Sequence, residues 1–319
     1  MAAAPKVLVT GGSGLLGRAV IAEFQSRGID VVGTAWSRAD GVTLLKADLR
    51  DASDIARLFE QVRPTVLIHC AAERRPDVCE TDETLTKALN VTMVSNLASA
   101  AKDAGAWMIA LSTDYVFDGS SPPYGPDAAP SPLNRYGESK RAGELACSAA
   151  DDSATVLRVP VLFGPTKDVS ESATTVIANL LRPSGSESGA QQKRVDDWGV
   201  RYPTYTPDVA AVLVQMVQKH SSGDRGLCGR VLHWTANCVS EDGTPYTKYK
   251  LARLMGDILG LSTSHIAPAP EAPAGAPRPR DCHLDRSALE AHGIGRETEL
   301  REALKATLDG ALGGGASDK

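Results

Sequence analysis

An α/β fold, with a doubly wound parallel sheet and a smaller C-terminal lobe, is predicted by three features of the chain. Continuous apolar runs of strand length recur through the first 165 residues, as expected for strands covered on both faces. Helical patterns separate these runs, and strands spaced by helices build parallel βαβ units. A glycine-rich turn, "VTGGSGLLG", joins the first run to the first helical pattern.

The elements follow in order. "KVLVT" (6–10) is a short β-branched strand, and "LLGRAVIAEFQSRG" the helix after the glycine turn. "DVVGTA" (30–35) and "VTLLKAD" read as strands two and three. "DASDIARLFEQV" is a helix with Asp51 as its N-cap, since a short acidic side chain can accept from the first free amides. "TVLIHC" (65–70) and "WMIALS" (107–112) are the next strands, with a long helix between them from about Glu83 to Ala104. The helix carrying "NRYGESKRAGE" (134–144) leads to a further strand, "ATVLRVPVLFG" (154–164). Beyond residue 165 the pattern loosens. "RPSGSESGAQQK" (182–193) reads as a mobile loop, and "APAPEAPAGAPRPR" (267–280) as a connector without regular structure. Helices return at "PDVAAVLVQMVQKH" and at "TKYKLARLMGDILG", where Thr247 is the cap, and the tail "GALGGGASDK" is expected to fray. The expected division is a Rossmann domain of residues 1–165 and 202–235. A smaller substrate or partner lobe, residues 166–201 and 236–319, lies over the sheet's ligand edge.

Composition narrows the function. The chain has 319 residues, 42% hydrophobic and 23% charged, with a formal net charge of −5. No basic stripe is present, which argues against nucleic acid or a membrane surface as partner. No apolar run approaches the ~20 residues of a membrane span. "MAAAPKVLVT" passes almost directly into a strand, leaving no room for a signal peptide. The six cysteines are scattered, without C-x-x-C or paired histidine spacing. Free thiols in a reducing, cytoplasmic setting are expected, with no metal site.

Gly11, Gly14 and Gly17 stand in G-x-x-G-x-x-G spacing between a strand and a helix. Glycines there allow a sharp turn, close approach of backbone to a pyrophosphate, and tight helix–sheet packing, with the phosphates at the helix's positive end. After strand two a carboxylate would favour NAD. The chain instead has Ser37 and Arg38 in "GTAWSRAD", and a guanidinium suits the 2′-phosphate of NADP. Asp40 would reach the ribose if the strand ended two residues later. Asp48 and Leu49, after strand three, are placed to address the adenine.

Tyr136 and Lys140 are four residues apart on a helix and so share a face. A phenol of ordinary pKa ~10 is a weak acid–base group at neutral pH. A neighbouring ammonium and an oxidised nicotinamide would lower that value. The hydroxyl that orients a carbonyl substrate is Thr113 in "LSTDYVFDG", with Ser112 as the neighbour turned the other way. Thr113, Tyr136 and Lys140 are therefore the candidate catalytic residues.

"TGGSGLLG", "STDYVFDG" and "YGESK", in this order, resemble the extended short-chain dehydrogenase/reductase superfamily, and within it the dTDP-4-dehydrorhamnose reductase family. "HCAAERRPDV", "PLNRYG", "LRVPVLFG", "DDWGVRYPT" and "RPRDCHLDRSALEAHGIG" resemble the branch formed by methionine adenosyltransferase β regulatory subunits. The similarity runs from about residue 6 to residue 300. It implies NADP(H) held by Ser13, Gly14, Leu15 and Leu16, with Trp36, Ser37 and Arg38 near the 2′-phosphate. It also implies Asp48 and Leu49 at the adenine, Cys70 and Arg74 after strand four, and Tyr136, Lys140 and Leu162 at the nicotinamide end. Arg75 and Asp77 read instead as a solvated, self-paired loop.

Two functions follow from the resemblance. In the first, the chain binds NADP(H) and docks on a methionine adenosyltransferase catalytic subunit. The resemblance implies a partner-binding tail ending in bulky apolar residues. "GGGASDK" buries little apolar area, so weak docking, a different docking surface or no docking is expected. In the second, Thr113, Tyr136 and Lys140 serve an NADPH-dependent reduction of a nucleotide-sugar ketone, and Arg201 and Arg280 are cations that a diphosphate could meet. A sensor of NADPH without chemistry would use the same residues.

Overall fold

The computed structural model describes residues 4–166, 168–181 and 192–313. Its centre is a seven-stranded sheet of β1 (Lys6–Thr10), β2 (Asp30–Ala35), β3 (Leu44–Lys46), β4 (Val66–His69), β5 (Trp107–Thr113), β6 (Thr155–Val159) and, near the C-terminal end, β11 (Val231–His233). The spatial order is β3-β2-β1-β4-β5-β6-β11 and every pairing is parallel. The chain leaves β1 toward β2 on one side and later resumes at β4 on the other. The carboxyl ends of β1 and β4 therefore form the switch point at which such sheets bind ligands.

Helices cover both faces. α1 (Leu15–Ser26) and α7 (Thr206–Ser221) bury Val20, Phe24, Val209 and Leu213 against one face. On the other lie α2 (Ala52–Val62), α5 (Met93–Asp103) and α6 (Arg135–Ala150), with Ile55, Leu58, Leu97 and Cys147 in the core. Asp51 caps α2 by accepting from the Ser53 amide at 2.8 Å. The predicted long helix is α4 (Glu83–Lys87) running into α5 through a π-helical turn, Ala88–Thr92. Ahead of it, α3 (Pro76–Thr81) forms where no helix is expected from the sequence, with Pro76 at its first position, where a missing N–H does no harm.

A second group of elements outside this sheet combines β7 (Leu162–Phe163), β8 (Lys193–Asp196), β9 (Val200–Arg201), β10 (Thr204–Tyr205), β12 (Tyr246–Thr247), α8 (Lys248–Leu259), β13 (Ile266–Ala269) and α10 (Leu300–Gly313); α9 (Ser287–Glu290) packs on the sheet core. Its own core includes Phe163, Ile177, Leu251, Met255 and Leu304. Thr247 caps α8, accepting from the Lys250 amide at 3.2 Å.

Two expectations are corrected here. "ATVLRVPVLFG" is not one strand: β6 ends at Val159, Pro160 has no N–H to continue a ladder, and β7 pairs with β10 in a separate sheet. The segment 267–280 is not wholly irregular, because its start completes β13, which pairs in parallel with β8. The loop expected at 182–193 falls mostly outside the described residues, at 182–191. The tail expected to fray begins inside α10, and 314–319 lie outside the described residues. All six cysteines are free thiols. Among the described residues no helix is long and apolar enough to cross a membrane, and no group of side chains could hold a metal ion.

Candidate functional site

A cavity of about 540 Å³ opens along the carboxyl edge of the sheet, between it and the second group of elements. Its size lies within the usual range for small-molecule sites. At one end is the glycine turn. Gly11 has φ +68°, and a Cβ there would lie 2.9 Å from the Ala71 amide nitrogen. A Cβ on Gly17 would lie 2.2 Å from the Gly11 carbonyl oxygen. Only glycine lets β1, the turn and α1 close up this way. Gly14 is the N-cap of α1 and offers no side-chain acceptor, so the first-turn amides are left for an anion.

Gly11, Ser13, Gly14, Leu15, Leu16 and Gly17 all line the cavity, as does Arg38 beyond β2. Cys70 and Arg74 after β4, and Leu162 of β7, line its middle. Thr113, Tyr136 and Lys140 line the cavity as well. Other residues named from the sequence are not on this lining. Trp36 and Ser37 are exposed. Leu49 is buried in the core, and Asp48 binds Arg50 through two bonds of 2.9 and 2.7 Å. Asp40 is engaged locally, accepting from the amides of Val42, Thr43 and Leu44.

α6 places Tyr136 and Lys140 one turn apart, its N-terminus capped by Asn134, which accepts from the Gly137 amide at 2.9 Å. Lys140 is buried and donates to the Leu111 carbonyl of β5 at 2.8 Å. Burial lowers its pKa to about 8, with Glu144 and Cys70 pulling the other way. The Tyr136 phenol is raised above its ordinary value by burial, and a hydrogen bond with the Thr113 hydroxyl opposes the rise. The expected lowering by the neighbouring ammonium is not seen: Lys140 is not among the groups that act on the phenol, while Asp114, Cys79 and Tyr115 add to the rise. Ser112 turns away from Thr113 and donates to Glu144 at 2.6 Å. Beside Thr113 lies Asp114, 3.1 Å from its hydroxyl, its carboxyl pushed up to about 7 by burial.

Several lining residues carry no motif that sequence reasoning could use. Lys248 and Arg278 join the expected Arg201 on the lining, together with Tyr115 and Tyr202. Arg278 takes the place expected of Arg280, which is exposed. With Arg38, Arg74 and Lys140 opposing only Asp114 and Glu171 on the lining, the cavity suits a polyanion. Asn90, in the π-helical turn, is fully buried; its amide side chain accepts from the Glu73 N–H and donates to the Glu73 carbonyl and Ser139 Oγ. It thereby ties the Arg74 segment to α6. An asparagine inside a helical pattern was the available signal. Arg75 pairs with Glu73, and Asp77 lies 3.8 Å from Arg278.

The chain matches the family model described as the RmlD substrate binding domain over residues 5–312. It is 40% identical over 304 residues to methionine adenosyltransferase 2 subunit beta of Xenopus tropicalis, covering 95% of this chain and 87% of that one. It is 32% identical to dTDP-4-keto-6-deoxy-D-glucose reductase of Streptomyces niveus, over 90% of this chain and 91% of that one. A crystal structure of dTDP-4-dehydrorhamnose reductase from Clostridium acetobutylicum superposes with a TM-score of 0.78 at 26% identity, covering 95% of this chain and 98% of that one. A glycine turn at the switch point, a Tyr–Lys pair on one helix face and a match along nearly the whole chain agree: this protein belongs to the RmlD substrate-binding-domain family of extended short-chain dehydrogenases/reductases.

Proposed function

We propose that the chain binds NADP(H) in the sheet-edge cavity and acts as a β regulatory subunit of a methionine adenosyltransferase. The observation that carries this reading is one cavity joining an uncapped glycine turn to Tyr136 and Lys140, in a chain 40% identical to proteins named as that subunit. The pyrophosphate would lie on the amides of Ser13, Leu15 and Leu16, the Gly14 amide being held by the Gly11 carbonyl at 2.9 Å, with Arg38 toward the 2′-phosphate and Arg74 beside the cofactor. Trp36, Ser37, Asp48 and Leu49 would take the adenosine end. Cys70 and Leu162 would flank the nicotinamide half, with Lys140 toward its ribose. Co-purification of the full chain with a methionine adenosyltransferase catalytic subunit, from cells expressing both, tests the partner. A stable complex is expected. Separate elution at micromolar concentration with NADPH present contradicts it.

A second reading, an NADPH-dependent ketoreductase acting on a nucleotide sugar, is favoured by Thr113, Tyr136 and Lys140 lining one cavity. The cofactor would supply hydride to the carbonyl carbon. Thr113 would orient the carbonyl oxygen, and Tyr136 would give it a proton. A phenol held protonated by burial suits that direction of reaction. Arg201, Lys248 and Arg278 would face the diphosphate. Loss of reduced-cofactor absorbance with a dTDP-4-dehydro-6-deoxy sugar would support this reading. Under it, Tyr136→Phe abolishes turnover yet leaves the NADPH Kd within about fivefold, since one neutral hydrogen bond is worth roughly 1 kcal/mol.

A further inference from the structure

Arg158 sits in the middle of β6 with 1% exposure, where a strand covered on both faces ordinarily places an apolar residue. Its Nε and Nη2 donate to the two carboxylate oxygens of Glu144 at 2.8 and 2.7 Å. Its Nη1 lies 3.3 Å from His233 Nε2 on β11. A guanidinium only donates, so His233 accepts at Nε2 and carries its proton on Nδ1, 3.1 Å from the Tyr124 carbonyl. Glu144 also accepts from Ser112 at 2.6 Å and from Arg141 at 2.9 Å. A buried pair of this kind adds little net stability over an apolar replacement. Its geometry, however, bears directly on the cavity.

Tyr136, Lys140 and Glu144 follow one another at four-residue spacing on α6, so all three lie on one face. Arg158 belongs to β6, and Ser112 to β5, one residue before Thr113. We propose that Glu144 and Arg158 are positioning residues for the Thr113–Tyr136–Lys140 site: the buried pair clamps α6 onto β5 and β6, with Ser112 held by Glu144 on the face opposite Thr113, and Glu144 acts as the counter-charge to Lys140. The other groups that act on Lys140 are Cys70 after β4, Cys79 of α3 and Cys147 of α6, while His69 of β4 faces it as well. Burial keeps these neutral near pH 8: Cys70 and Cys147 are pushed up to about 12, Cys79 is raised, and His69 is lowered to about 3. Glu144 is thus the ionised acid acting on Lys140, its charge offset in part by the Arg158 and Arg141 guanidiniums it binds.

The functional consequence rests on the NADP(H) reading, but the clamp can be tested without it. In the full chain, Lys140 is followed by ¹³C NMR of labelled lysine, its signal assigned by loss in Lys140→Met. The double variant Glu144→Gln/Arg158→Met removes both charges while keeping volume. Glu144→Gln alone, which leaves Arg158 an acceptor, serves if the double variant does not fold. With Glu144→Gln the Lys140 titration midpoint is expected to fall by a unit or more, with the double variant, which also removes the opposing cation, by less, whereas Ser112→Ala leaves it in place. The high-pH limb of NADPH binding should move down with it, weakening affinity roughly eightfold at pH 8.5 for a one-unit shift. A folded variant whose lysine titrates as in the parent overturns the proposal. Absence of NADPH binding by the parent instead overturns the cofactor reading and leaves the lysine titration to decide this one.

Discussion

Asp114 shows how burial sets the chemistry of single residues here. Its carboxyl lies beside Thr113 and lines the cavity, and desolvation raises it to about 7 while Arg201 and the Thr113 hydroxyl pull it down. A carboxyl raised in the native state binds a proton that the unfolded chain releases at lower pH. Its penalty therefore grows as pH rises from about 4 to 7 and is constant above. Asp114→Asn should raise the melting temperature, by a margin that widens over this interval and levels off near pH 8. The underlying gain is at most about 4 kcal/mol for a three-unit shift. A margin independent of pH, measured by differential scanning calorimetry, would show that the carboxyl is not desolvated. Arg38 is the corresponding test at the cofactor's other end. If it meets a 2′-phosphate, Arg38→Ala should weaken NADPH binding roughly 10–100-fold, the worth of a charge-assisted contact, and leave NADH almost unchanged. Equal losses for both dinucleotides would remove Arg38 from the phosphate.

At the scale of elements, the turn between β1 and α1 depends on glycine at two positions by contact, not by propensity. Gly17→Ala would drive its Cβ against the Gly11 carbonyl oxygen. It should cost about 1–3 kcal/mol of stability, as other overpacked sites do, read as a lower urea midpoint. Thr247→Ala, which removes the α8 cap and its 2.5 Å bond to Asp197, should cost about 0.5–2 kcal/mol. Strands β1, β4 and β5 are legible in the sequence because both faces are covered and the run is uninterrupted. The caps Asp51 and Thr247 are legible for the same local reason. β13 is not: its residues "IAPA" have little strand character, and pairing with β8 forms it. The split of β6 from β7 could have been read at Pro160, which cannot donate to a ladder. α3 is too short to show a period.

Across the whole molecule, the site is assembled from segments far apart in sequence. The glycine turn, Thr113, Tyr136 and Lys140 were readable because each sits at a strand end or on a single helix face. Arg278 was not, since only the return of the 277–280 segment, held where Asn134 donates to the Pro277 carbonyl at 2.9 Å, brings it to the cavity. The same holds for Lys248, whereas Arg201 was named from the sequence and does line the cavity. Their charge makes the cavity a site for anions, consistent with a dinucleotide in one half and a second anionic group in the other. Isothermal titration calorimetry of the full chain with NADPH and with NADH tests the central claim most directly. A saturable one-site isotherm, tighter for NADPH than for NADH, is the predicted result. Absence of heat with both dinucleotides, across temperatures that would expose a vanishing enthalpy, would contradict it.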